Sequence, residues 1–99
     1  MESVELIKLK GQLHDFLPLL KAKYPIEKMA FFGSVTRSDF DPLKSDIDIL
    51  VEFNGSIGWG FIDLAEELEK LFSKKVDLIS KNAIKPHYWP YIQKDLMYV

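Results

Sequence analysis

Asp46 and Asp48 stand one residue apart in the run "SDIDILVEF", among neighbours that are those of a buried strand. Side chains alternate faces along a strand, so the two carboxyls share one face with Leu50 and Glu52 further along it. Ile47, Ile49, Val51 and Phe53 take the other face, toward a core. At the strand rise the two carboxylates lie about 7 Å apart, and both can lean toward one point, where like charges repel. A divalent cation removes that repulsion, and oxygen ligands completed by water suit Mg2+. The plain alternative is a solvated strand end whose aspartates face water, and a D-x-D pair alone favours it.

Three further features shift the balance. Gly33-Ser34 ends the apolar run "KMAFFG" that precedes the polar loop. Glycine permits a positive φ or close backbone approach, and Ser34 is placed to cap a short helix whose free N–H groups would face an anion. Arg37, the sole arginine of the chain, lies in the same loop, suited to a phosphate or to pairing with Asp39 or Asp41. Asp77 in "VDLI" is a third carboxylate in a short apolar strand. Each has an ordinary reading by itself, as a turn, a surface ion pair or a strand end. Together they set a phosphate cradle, a metal-binding pair and a third acid on one small sheet.

The elements that must position these groups follow from periodicity. Leu6, Leu9, Leu13, Phe16, Leu17 and Leu20 recur at helical spacing, with Pro18 expected to kink the helix or to start a second short one. Strands are expected at roughly 28–33, 47–53 and 75–79, in one sheet. "NGSIG" is a turn. Phe61, Leu64, Ala65, Leu68, Leu71 and Phe72 define an amphipathic helix. From about Pro86, a short closing helix carries Tyr88, Trp89, Tyr91, Ile92 and Leu96. These aromatics are read equally as a partner surface, since Trp and Tyr are enriched at interface hot spots, and as a cap on the open face of the sheet. His14 and His87 have no metal-ligand partners at suggestive spacing. The order describes an α/β (α+β) fold, a small mixed sheet covered by helices.

The composition agrees with one domain spanning residues 1–99. Apolar residues make up 47%, enough for a core, and the net charge of −2 argues against a protein that coats nucleic acid, so no direct nucleic-acid partner is expected. The absence of cysteine excludes disulfides, thiolate zinc sites and cysteine nucleophiles. No apolar run approaches a membrane span or a signal-peptide core, so the expected setting is the cytoplasm.

With Gly33-Ser34, eleven intervening residues and then Asp46-Ile47-Asp48, the chain resembles the DNA polymerase β-like nucleotidyltransferases. The short length, "FFGS", Arg37, "SDIDILV" and "VDLI" are similar to their smallest branch, the minimal nucleotidyltransferases. The resemblance spans roughly residues 5–97 and implies the polymerase β-like nucleotidyltransferase fold. It also implies that Gly33, Ser34 and Arg37 hold the triphosphate of ATP, that Asp46 and Asp48 bind two Mg2+ ions, and that Asp77 shares a metal and activates the attacking hydroxyl. Many members of this branch are antitoxins paired with a HEPN-domain toxin, and they transfer AMP to a tyrosine of that partner. The loop "GSVTRSDFDPLKSD" departs from the family pattern. It lacks a glycine and a second arginine, with Ser38 and Asp41 in their region, so that only Arg37 and Lys44 supply positive charge unless Lys81 or Lys85 is borrowed. An antitoxin that neutralises its partner by binding alone is therefore kept as an alternative. A small-molecule (antibiotic) nucleotidyltransferase is disfavoured, because it needs a further domain to hold the acceptor.

Overall fold

A computed structural model describes residues 3–37 and 40–99. Helix α1, Val4–Lys23, is started by Ser3, whose Oγ accepts a hydrogen bond from the Leu6 N–H at 3.0 Å, and carries Glu5 in its first turn and Lys21 and Lys23 in its last. Pro18 does not divide it. Proline inside a helix costs about 3 kcal/mol. Leu6, Leu9, Leu13, Leu17 and Leu20, on both sides of Pro18, are all buried. At about 1.5–3 kcal/mol for each buried leucine, keeping one continuous stripe outweighs that cost. Tyr24 leaves the helix in an extended conformation, as a residue before proline prefers.

Strand β1, Ile26–Phe32, follows, then a 3-10 turn, Gly33–Thr36. Strand β2 is Ile47–Phe53, helix α2 Gly60–Phe72 and strand β3 Val76–Ser80. The chain then passes through 3-10 turns at Lys81–Ala83 and Pro86–Tyr88 into the one-turn helix α3, Trp89–Gln93, and ends in a two-residue strand β4, Met97–Tyr98.

The sheet order is β3-β2-β1-β4. β1 runs antiparallel to β2 and to β4, whereas β2 and β3 are parallel. A parallel pair needs a long crossover, which α2 supplies. Ser73, at φ 53°, turns the chain out of α2, and the Val76 N–H then donates to Glu69 Oε2 at 3.0 Å, tying the start of β3 to the helix.

The two sheet faces are covered unequally. Met29, Phe31, Ile47, Ile49 and Val51 pack beneath the leucines of α1 and Leu64, Leu68 and Phe72 of α2, forming the main core. The other face is a smaller cluster of Ala30, Phe32 and Leu50, partly covered by Ile79, Ile84, Trp89, Ile92 and Leu96. The tail thus caps this face through Trp89, while Tyr88 and Tyr91 remain 55% and 68% exposed. This is the face to which Asp48 belongs, one pleat along from Leu50. Among the described residues, no helix is long and apolar enough to cross a membrane.

Candidate active site

The ladder between the two parallel strands sets Asp48 directly beside Asp77, and the antiparallel ladder sets Phe32 on its other side. Directly paired residues point to the same face, so Asp48 and Asp77 share the less covered one. The two carboxyls are near enough for Asp77 to act on the ionisation of Asp48. Asp48 is half-buried, and its pKa is pushed up to about 6. Burial is the main cause, followed by the charge of Asp77 and the charge of Asp46, with Arg37 acting in the opposite direction.

Gly33 stands against this carboxylate. It has φ 73°, and a Cβ built on it would lie 2.2 Å from Asp48 Oδ2. The glycine therefore meets two demands at once, a left-handed backbone and a close approach. Ser34, expected as a helix cap, is instead the second residue of the Gly33–Thr36 turn, and no side chain caps that turn. The turn is closed from its far end. The Arg37 N–H donates to Ser34 O at 3.0 Å, and Thr36 Oγ1 donates to Gly33 O at 2.9 Å.

Asp46 lies just before β2, half-buried, with Lys75 Nζ 4.0 Å from its Oδ2. The loop before it is shaped by Asp41, whose Oδ1 accepts the Leu43 N–H at 2.9 Å and whose own N–H donates to Ser45 Oγ at 3.1 Å. Asp41 is thus a turn-former, and Asp39 lies outside the described residues, as does Ser38. Arg37 pairs with Asp95 of the C-terminal segment at 2.8 Å. Lys81, expected as a reserve phosphate ligand, is held 3.4 Å from Glu52 and 5.0 Å over the Trp89 ring, while Lys85 stays exposed ahead of the Pro86–Tyr88 turn.

The fold therefore gathers Gly33, Asp48 and Asp77, with the charges of Asp46 and Arg37 felt at Asp48. Among the described residues, no three His, Cys, Asp or Glu side chains form a ready metal cage. The donor chemistry nonetheless fits a hard cation. Two carboxylates side by side repel, and a divalent ion bound between them would relieve that repulsion. Lys75 and Asp95 were not singled out by the sequence reading. Lys75 sits two residues before Asp77, a signal that was available, but nothing local marks Asp95 as the partner of a residue 58 positions away.

The model of the nucleotidyltransferase domain family matches residues 13–98. A protein adenylyltransferase of Methanocaldococcus jannaschii is 42% identical over 94 residues, covering 93% of this chain and 95% of the relative. Among solved structures, one described as a minimal nucleotidyltransferase superposes with a TM-score of 0.77 at 27% identity, covering 93% of each chain. Another, from the complex of a tri-AMPylated Shewanella oneidensis HEPN toxin with its MNT antitoxin, gives a TM-score of 0.66 at 18% identity over 91% of this chain and 70% of that one, a likeness of fold. The chain belongs to the nucleotidyltransferase-domain family, in the branch of the protein adenylyltransferases. It is a nucleotidyltransferase with the minimal fold of that branch.

Proposed function

We propose that the chain transfers AMP from ATP to a hydroxyl, that of a tyrosine, on a partner HEPN-type toxin, and acts in the cytoplasm as the antitoxin of that pair. The observation that carries this reading is the pairing of Asp48 with Asp77 across the parallel strands, against a glycine that leaves no room for a Cβ. The family resemblance and the AMPylated toxin of the Shewanella complex support the choice of acceptor.

Asp46 and Asp48, with Asp77, would hold Mg2+. Bound there, Mg2+ supplies charge neutralisation on the attacking and leaving oxygens of an in-line displacement. The acceptor oxygen forms a bond to the α-phosphorus, the bond from that phosphorus to the bridging oxygen breaks, and pyrophosphate leaves. Asp77, the exposed member of the acid pair, takes the hydroxyl proton. Gly33 and Ser34 present backbone to the phosphates, and Arg37 brings a guanidinium suited to two phosphate oxygens. Holding the nucleotide and the acceptor in line accounts for much of the rate.

The loop with a single arginine favours a second reading, neutralisation by binding alone. Incubation with labelled ATP, Mg2+ and the partner separates the two: transfer requires label on the partner, whereas binding alone predicts neutralisation without label.

A further inference from the structure

The strand that carries Asp77 is preceded by a cation. The Ile47 N–H donates to Lys75 O at 3.0 Å, so the parallel pairing of β2 and β3 extends one step back and sets Lys75 beside Asp46, as Asp77 stands beside Asp48. Lys75 Nζ reaches Asp46 Oδ2 at 4.0 Å, while the lysine side chain stays 70% exposed. An ion pair at that distance and exposure holds a lysine only loosely. Lys75 and Asp77 are two residues apart in extended chain, so they stand about 7 Å apart on one side of it.

Lys75 belongs to a larger feature. A cavity of about 360 Å3 opens beside Asp46, between the loop before β2 and the connection from α2 to β3. Lys44, Lys74 and Lys75 line it, together with Leu43 and Ser73. Lys74 Nζ donates to Pro42 O, which ties the two walls together. Leu43 is 94% exposed. Ligand pockets fall in the range of roughly 300–1,000 Å3. In a chain of net charge −2, three lysines about one cavity make a local positive field.

The sheet order decides which substrate meets that field. The Gly33–Thr36 turn, proposed to face the phosphates, follows β1 on one side of Asp48, and Asp77 lies on the other side, on the edge strand β3. An acceptor hydroxyl that gives its proton to Asp77 therefore approaches from the β3 side. Groups adjoining that hydroxyl then meet Lys75 and the cavity it lines.

We propose that this cavity is the acceptor subsite: it takes an acidic side chain adjoining the acceptor tyrosine of the partner, and Lys75 is the positioning residue nearest the reacting hydroxyl. This rests on the proposed function. When Asp46 engages a cation, Lys75 exchanges its loose contact for the partner's carboxylate. Complementary charge of this kind fixes register and speeds encounter.

The test uses the full chain and its partner. Affinities for Mg2+, Mg2+-ATP and the partner are read by titration calorimetry, and KM for the partner by first transfer of label onto unmodified partner. The proteins are the wild type, Lys75→Ala, Lys75→Arg, Lys75→Glu and the control Lys70→Ala, at an exposed position in the last turn of α2 outside the cavity. Lys75→Ala should raise Kd and KM for the partner about tenfold, the worth of a hydrogen bond to a charged group, and leave Mg2+-ATP affinity unchanged. Lys75→Arg should recover most of that loss, Lys75→Glu should be worse than Lys75→Ala, and Lys70→Ala should match the wild type. Added salt should weaken partner binding by the wild type more than by Lys75→Ala. A partner whose acidic residues flanking the acceptor tyrosine are changed to lysine should lose affinity for the wild type and regain it with Lys75→Glu. Weaker ATP binding by Lys75→Ala would make Lys75 a phosphate ligand. Tighter Mg2+ binding with unchanged partner affinity would make it a counter-ion of Asp46 alone. Failure of the charge swap would remove the carboxylate. Each of these results overturns the proposal. If Lys75→Ala fails to fold, Lys75→Gln takes its place with the same expected signs. A wild type that binds the partner but neither binds ATP nor transfers label would sink the functional reading itself, whereas an active wild type with an indifferent Lys75 sinks only this inference.

Discussion

Replacing Gly33 with alanine tests the packing of the site in one methyl group. The residue sits at φ 73°, and the added Cβ would fall 2.2 Å from Asp48 Oδ2. Holding a non-glycine residue in the left-handed region costs roughly 1–2 kcal/mol. For a chain of this size, each kcal/mol lowers the melting temperature by about 4–8 °C, so a drop on the order of 5–15 °C is expected. The larger effect is on chemistry. The carboxylate must retreat by about 1 Å to reach ordinary contact, and a displacement of that size at a reacting site costs on the order of 100-fold in rate. Gly11→Ala is the control. That glycine lies in α1 with nothing within 4 Å of its would-be Cβ, so the change should stabilise by about 0.5–1 kcal/mol and leave transfer intact. The assay pairs melting curves with AMP transfer for both variants. A Gly33→Ala protein that melts and transfers like the wild type would refute the claim that this glycine clears space for Asp48.

Other outcomes follow from the same geometry. Asp48→Asn removes one charge from the crowded acids, so it should abolish transfer while leaving the metal-free protein at least as stable as the wild type, as melting and transfer assays will read. The Asp48 pKa is raised from 3.8 to about 6, so the folded state binds more protons than the unfolded state between those values. Stability from this group is therefore full below about pH 4 and falls as pH rises toward 6, and the advantage of Asp48→Asn in chemical denaturation should grow across that window and then level off. Mg2+ with ATP should raise the wild-type melting temperature by mass action, and much less that of Asp48→Asn. Trp89→Ala should lose about 2 kcal/mol, less than the 3–5 of a wholly buried tryptophan, because Trp89 covers Ala30 and Leu50 while staying partly exposed. Tyr91→Ala, at a 68% exposed position, should change stability by less than about 0.5 kcal/mol, as a denaturant titration will show.

Legibility from the sequence tracked how local the determining physics is. β2 falls at Ile47–Phe53 as expected, because alternation with aspartates on one face and apolar residues on the other is a strong local signal. β1 begins two residues earlier than the expected 28, since Pro25 already holds the chain extended, and it ends at Phe32 because Gly33 turns away with positive φ. Strand β3 is offset by one residue from the expected span. The helix α1 was read from its leucine spacing, and only a second helix starting at Pro18 does not occur, whereas the two-residue β4 was missed. Burial of the leucine stripe holds α1 together across Pro18, and β4 is held by pairing of Tyr98 with Ala30, which is not visible within a short window. The acids were singled out as candidates by residue type and spacing, but that Asp77 stands beside Asp48 depends on the parallel register. The cap offered for Ser34 does not form, because a glycine-serine pair after a strand serves a cap and a 3-10 turn equally well.

The most direct test is to incubate the chain with ATP labelled in its α-phosphate, Mg2+ and the partner HEPN-type protein, then locate the label by mass spectrometry. Label on a tyrosine of the partner is predicted for the wild type, with none for Asp46→Asn, Asp48→Asn or Asp77→Asn. An unlabelled partner that is neutralised equally well by the wild type and by Asp48→Asn would contradict nucleotidyl transfer and leave binding alone as the antitoxin activity.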